Sequence, residues 1–293
     1  MFQGSIVAIV TPMLENGEVD YSSLQQLVDF HIRSGTHGIV AMGTTGESAT
    51  LPVDEHVQVV KKIVEYAAGK IPVIAGSGAN STAEAIELSL AMATTGVDGF
   101  LSVVPYYNKP QQRGMVAHFE AIADATDLPV LLYNVPGRTV ADMLPETVAV
   151  LAKHPKIVGI KEATGELQRV KKLRELTGDD FILLSGDDET AQAFMQEGGQ
   201  GVISVTANVA AKQMADMCDL ALEGKHDKAK AVNQQIAPLH QALLIEPNPV
   251  MPKHCLYKMG MMQASTLRLP LVEAELESQK TIEQVMRDLD IAF

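Results

Sequence analysis

Residues 157–166 read IVGIKEATGE. A β-branched apolar run leads directly into Lys161, a strongly hydrated cation at the end of what should be a buried strand. The run is continuous rather than alternating, as in a strand covered on both faces. Seven other stretches share this form, each bounded by turn residues: SIVAIVTP (5–12), GIVAMGTTGE (38–47), IPVIAGSG (71–78), GFLSVVPYY (99–107), LPVLLYNVP (128–136), FILLSGDD (181–188) and GVISVTANV (201–209). Segments of helical period lie between them. Leu24, Leu27, Val28 and Ile32 fall at helical spacing, and Gly35 is placed to end that helix. Ser81 and Glu84 have capping-box spacing ahead of Ile86, Leu88 and Leu90. Helical patterns also fit 54–68, 111–125, 145–153, 166–177, 189–197 and 210–223. Eight strand–helix alternations predict an α/β fold, a closed (β/α)8 TIM barrel. A doubly wound open sheet is the structural alternative, because periodicity does not prove closure.

After residue 224 the strand pattern stops. Segments 225–245, 249–263 and 273–290 read as helices, broken by EPNPVMP at 246–252. The expected organisation is a catalytic barrel over 1–224 and a C-terminal helical appendage over 225–293.

The formal net charge is −13, and no block of like charge stands out. That balance argues against nucleic acid or an anionic membrane as partner. Two cysteines, Cys218 and Cys255, are too few for a disulfide framework. The N-terminal MFQGSIVAIVTPM has no basic n-region, and no apolar stretch approaches the ~20 residues of a membrane span. A cytoplasmic protein is expected.

Barrel chemistry sits at the C-terminal ends of the strands. Those ends carry Thr11, the GTTGE loop (43–47), Tyr106, Tyr107, Tyr133, Asn134, Arg138, Lys161, Glu162, Gly186, Asp187, Ser204 and Asn208. In a strand, 157, 159 and 161 share one face, so Gly159 is expected to leave space beside the lysine stem. A free lysine amine is neutral in only about one molecule in a thousand near pH 7.4. Desolvation favours the neutral form, which can attack a ketone and form a Schiff base. The bland alternative is a rim lysine paired with a carboxylate such as Glu162.

Tyr133 ends the preceding strand and is expected beside Lys161, where a tyrosine in a hydrogen-bonded chain can move the protons of imine formation. Thr44 is the candidate link in that chain. Gly43 and Gly46 let the GTTGE backbone approach a ligand, and its N–H groups can cradle a carboxylate. Arg138, in NVPGRT, offers a guanidinium fork for a second carboxylate. Gly76, Gly78 and Ser81 form a defective GxGxxG that reads as a helix-capping turn. The eight histidines show no HxH or HExxH spacing, so no metal is expected. Acidic residues 187–189 in loop seven disfavour a phosphorylated substrate.

GTTGE (43–47), YNVPGRT (133–139), GIKEATG (159–165) and GVISVTANV (201–209) resemble the dihydrodipicolinate synthase family, and the resemblance runs from SIVAIVTPM to EPNP. The strand-six lysine and the GxxGE loop are common to the wider pyruvate-dependent lyase superfamily, whereas GRT after NVP points to the synthases. The resemblance implies that Lys161 condenses with pyruvate and that the resulting enamine attacks L-aspartate 4-semialdehyde, in lysine and diaminopimelate synthesis. It implies a proton relay of Thr44, Tyr107 and Tyr133, with Tyr107 supplied by a neighbouring subunit of a homotetramer built as a dimer of dimers. Pyruvate is expected against Thr45 and Ile203, with Gly186 also at the site. Arg138 is expected on the aldehyde substrate's carboxylate, and no cofactor is implied. An L-lysine inhibitor site is implied at Ser48, Ala49, His56, Asn80, Glu84 and Tyr106. Val53 departs from that site, where inhibited relatives commonly carry histidine. The competing readings are a sister aldolase, for N-acetylneuraminate or a 2-keto-3-deoxy sugar acid, and a non-catalytic barrel that binds a small ligand.

Overall fold

The computed structural model describes residues 2–293. All eight apolar runs form parallel strands: β1 (Gly4–Ala8), β2 (Gly38–Ala41), β3 (Val73–Gly76), β4 (Gly99–Val103), β5 (Val130–Asn134), β6 (Ile157–Glu162), β7 (Ile182–Ser185) and β8 (Gly201–Ser204). They pair in chain order, and β8 returns to β1 through Gly4↔Gly201 and Ile6↔Ile203. The barrel is therefore closed, and the open-sheet alternative falls.

The helices of the wall are α1 (Tyr21–Ser34), α2 (Val53–Ala67), α3 (Thr82–Ala93) and α4 (Gln112–Asp124). A single turn, α5 (Pro136–Thr139), then precedes α6 (Pro145–Leu151), α7 (Leu167–Thr177), α8 (Ala191–Gln196) and α9 (Ala211–Leu222). The predicted stop of α1 is present: Gly35 adopts φ 80° and its N–H caps the His31 and Ile32 carbonyls. At the other end, Asp20 accepts the Ser23 amide at 3.0 Å. Ser81 caps α3 by accepting the Glu84 amide at 3.4 Å. The turn α5 is absent from the sequence reading, because four residues starting at Pro136 carry no period.

Alternate strand residues build two separate cores. Val7, Ile39, Phe100, Leu132 and Ile160 point outward and pack under the helices. Ile6, Val40, Ile74, Leu101, Leu131, Leu184 and Ile203 fill the barrel itself. Beyond the wall lie α10 (His226–Ala242), α11 (Val250–Lys258) and α12 (Leu276–Asp288). A third core of Val209, Ala210, Leu239, Leu243, Met251, Ile282 and Met286 joins these helices to the loop after β8. The appendage thus packs around the catalytic end of the barrel.

Candidate active site

Lys161 lies in register with Tyr133 on one side and Leu184 on the other. Both partners belong to the barrel-interior core, so Lys161 also points inward. Only 6% of it is exposed, and its Nζ sits 4.2 Å from the centroid of the Tyr133 ring. That is cation–π distance for a charged amine and keeps the tyrosine beside a neutral one.

Glu162 does not pair with this lysine. One residue on, it faces the helices, where its carboxylate accepts from the Thr164 amide at 2.9 Å and from Asn134 Nδ2 at 3.1 Å. Arg169 Nη1 lies 3.7 Å away and also holds Asp142. Burial raises the Glu162 pKa, while its bonds to Thr164 and Asn134 and the charge of Arg169 lower it. Lys161 itself makes no salt bridge among the described residues. The rim-lysine reading is thereby removed.

The expected role of Gly159 is corrected. A Cβ there would lie 2.4 Å from the Ile182 carbonyl oxygen and 2.9 Å from Leu131 Cδ2, so this glycine admits neighbouring strands rather than open space. The residue that makes room for the lysine is Gly186. Its missing Cβ would sit 2.9 Å from Lys161 Cε, 3.1 Å from Cγ and 2.6 Å from Ala163 Cβ.

The GTTGE loop forms a 3-10 turn over Thr44–Gly46, held by the Gly46 amide on the Gly43 carbonyl and the Glu47 amide on the Thr44 carbonyl. Thr11 Oγ1 donates to the Gly46 carbonyl at 2.7 Å. Thr44 is exposed and Thr45 is buried. Neither the Thr44 hydroxyl nor the Tyr133 hydroxyl has a hydrogen-bond partner among the described residues, so the expected Thr44 link is not closed within one chain. Tyr107 is 88% exposed with φ 73°, and its hydroxyl has no hydrogen-bond partner among the described residues. Arg138 lies exposed on α5 with its amide bonded to the Val135 carbonyl. Ile203 is buried inside the barrel.

Of the six residues expected to hold lysine, Asn80 and Tyr106 are joined by Asn80 Nδ2 donating to the Tyr106 carbonyl at 3.2 Å. His56 is buried, its Nε2 3.1 Å from the Gly76 carbonyl, and burial lowers its pKa to about 4 against the raising effect of that bond. Ser48 and Ala49 lie in the loop after β2, and Glu84 sits in the first turn of α3. Val53 begins α2 and is 62% exposed.

The loop-seven acids have definite partners. Asp187 Oδ2 accepts from the Thr190 hydroxyl at 2.6 Å, and Asp188 Oδ2 accepts the Val205 and Thr206 amides, each at 2.9 Å. The loop-eight amides that would otherwise meet a phosphate are thus occupied. Among the described residues no group of three or more His, Cys, Asp or Glu is placed to hold a metal, and no helix is long and apolar enough to cross a membrane.

The Dihydrodipicolinate synthetase family matches residues 1–289. The chain belongs to that family. It is 69% identical over 288 residues to the 4-hydroxy-tetrahydrodipicolinate synthase of Pseudoalteromonas atlantica, covering 98% of each chain. Among solved structures, the chloride-inhibited dihydrodipicolinate synthase of Acinetobacter baumannii, complexed with pyruvate, superposes with a TM-score of 0.98 at 48% identity, over 99% of this chain and 100% of that one. The enzyme of Cyanidioschyzon merolae with lysine bound superposes with a TM-score of 0.96 at 39% identity, over 99% of both. Membership of the family accords with a strand-six lysine beside a strand-five tyrosine and a GTTGE loop following β2 at the same end of the barrel. It favours the synthase over the sister aldolases and over a non-catalytic barrel.

Sequence reasoning missed the residues that brace this site from the appendage. Asn248 Nδ2 donates to Thr45 Oγ1 at 2.9 Å, and Lys253 Nζ meets Glu47 Oε1 at 2.6 Å with both side chains fully buried. A lysine within a helical pattern reads as a solvated face, and only a buried partner about 200 residues away corrects that.

Proposed function

We propose that this 4-hydroxy-tetrahydrodipicolinate synthase, a lyase, works through Lys161 as an imine-forming nucleophile. The observation that carries this reading is a buried lysine, free of carboxylates, lying against Tyr133 inside the barrel mouth. Lys161 Nζ adds to the ketone carbon of pyruvate, and loss of water gives the imine. Deprotonation at the methyl carbon yields an enamine that forms a carbon–carbon bond to the aldehyde of L-aspartate 4-semialdehyde. The amine of that substrate then displaces Lys161, closing the ring of 4-hydroxytetrahydrodipicolinate and freeing the enzyme.

Tyr133 moves protons to and from the departing oxygen, relayed by Thr44 and by Tyr107 of a partner subunit. The almost complete exposure of Tyr107 supports that crossing, because an aromatic side chain left in solvent gains nothing from burial until a second copy covers it. The backbone at Thr45 and the Ile203 region hold pyruvate, Gly186 lines the same pocket, and Arg138 holds the aldehyde's carboxylate. The enzyme acts as a cytoplasmic homotetramer, a dimer of dimers, with 1–224 as catalytic barrel. L-lysine binds at Ser48, Ala49, His56, Asn80, Glu84 and Tyr106.

Borohydride reduction with pyruvate tests the central step. The expected result is a stable adduct on Lys161, absent in Lys161→Ala, which should keep its fold and lose nearly all turnover. An unmodified Lys161 in the wild type would refute the reading. A coupled assay comparing aspartate semialdehyde with sugar acids then fixes the second substrate.

A further inference from the structure

The GTTGE loop is not held by the barrel alone. Glu47 sits in the left-handed region at φ 60°, directly after the 3-10 turn of Thr44–Gly46, and its carboxylate is sequestered from solvent. One oxygen takes Lys253 Nζ at 2.6 Å and the other takes the Arg268 amide at 3.0 Å. Burial pushes the Lys253 amine below its ordinary pKa, while the contact with Glu47 pushes it back up. Arg268 continues outward, binding the Gly17 carbonyl at 2.9 Å and Glu55 Oε1 at 2.7 Å. Asn248 holds the Thr45 hydroxyl from the same side. Three residues of 246–270 therefore converge on one five-residue loop.

A buried ion pair is a poor way to gain stability, since hydrophobic residues of similar volume often serve as well or better. Its attested use is to fix one arrangement against others. The arrangement fixed here is the Thr44–Gly46 turn, to which the proposed function assigns the carboxylate of pyruvate. A left-handed glutamate also needs its surroundings to hold it, because that conformation is uncommon outside glycine.

We propose that Glu47 and Lys253 are positioning residues for the ketoacid, so that the appendage sets the geometry of the Thr44–Thr45 carboxylate cradle. This rests on the assignment of pyruvate to that loop. Loss of the pair then weakens pyruvate binding selectively, because Arg138, which takes the second carboxylate, stands on α5 outside the clamp.

Two full-length variants test it: Glu47→Gln, which strands the lysine, and the neutral pair Glu47→Gln with Lys253→Met, which retains volume without a buried charge. Each is measured for melting temperature, for KM of pyruvate and of the aldehyde, and for borohydride trapping at saturating pyruvate. The expected result is a tenfold or greater rise in pyruvate KM, a change below twofold for the aldehyde, and continued trapping on Lys161. A folded neutral pair with wild-type pyruvate KM, or an equal rise for both substrates, overturns the proposal. Hydrogen exchange on the wild type needs no variant: the Gly46 and Glu47 amides should exchange within about tenfold of those in β2, and faster exchange overturns the clamp. Failure of the wild type to trap pyruvate would instead overturn the assignment of Lys161, so the two failures are distinct.

Discussion

Gly186→Ala isolates the fit between Lys161 and its neighbours. The added Cβ would stand 2.6 Å from Ala163 Cβ and 2.9 Å from Lys161 Cε, where ordinary contact begins at 3.4 Å. The shortfalls are about 0.8 Å and about 0.5 Å, so something must move. Ala163 has no rotamer to change, so that overlap is relieved by a shift of backbone after β6 and β7, while the lysine stem swings to relieve its own; both movements displace Lys161. Overpacking of this kind costs about 1–3 kcal/mol. In a chain of 293 residues that lowers Tm by about 2–5 °C. A displacement of a few tenths of an ångström to 1 Å at the nucleophile lowers turnover by about 10–100-fold. Steady-state kcat, the rate of borohydride trapping and a thermal melt together make the measurement. The expected pattern is a folded enzyme with slow trapping and low kcat. Wild-type trapping in a folded Gly186→Ala protein would show that this glycine does not set the lysine's position.

Arg138→Ala should leave imine formation detectable while kcat/KM for the aldehyde falls about 30–150-fold, the worth of about 2–3 kcal/mol in charge-assisted hydrogen bonds; equal loss of both half-reactions would contradict its placement. His31 is fully buried with Nδ1 3.0 Å from Thr36 Oγ1, and burial lowers its pKa to about 3. The unfolded value is near 6.5, so between pH 6.5 and 4 the unfolded chain binds a proton that the native chain refuses, and stability falls as pH drops. His31→Asn should flatten that fall by about 1.4 kcal/mol per pH unit in urea titrations, and an unchanged slope would contradict the assignment. L-lysine should still inhibit, but more weakly than in relatives with histidine at position 53, because valine offers no side-chain hydrogen bond. A flat dose–response curve at millimolar lysine would refute retained regulation.

The barrel was legible in the sequence because a parallel sheet covered on both faces must be apolar along its length, and each of the eight strands carries two or more residues from Val, Ile and Leu. Lys161 and Tyr133 were legible as neighbours because chain order and strand order coincide in this barrel. Face alternation alone misled at Gly159. It says which way a residue points but not what the next strand places there, and Ile182 occupies the space. Lys253 was invisible for another reason. Its partner Glu47 is 206 positions away, and nothing in the local pattern of α11 distinguishes a buried lysine from a solvated one. The acids at 187 and 188 were read for their charge, whereas the structure uses them to bond the Thr190 hydroxyl and the Val205 and Thr206 amides.

Closure through Gly4↔Gly201 has a consequence for synthesis on the ribosome. β1 is made before the other seven strands of the barrel, yet one of its two edges has no partner until β8 emerges. At about 5–20 residues per second, the intervening stretch of nearly 200 residues takes roughly 10–40 s to translate. Throughout that interval the nascent chain carries an exposed edge of β-branched residues, the kind of edge that folded proteins cover or blunt. Chaperones and aggregation compete for the chain in that window, and a mutation that slows the last strand's arrival lengthens it without altering any contact in the finished enzyme.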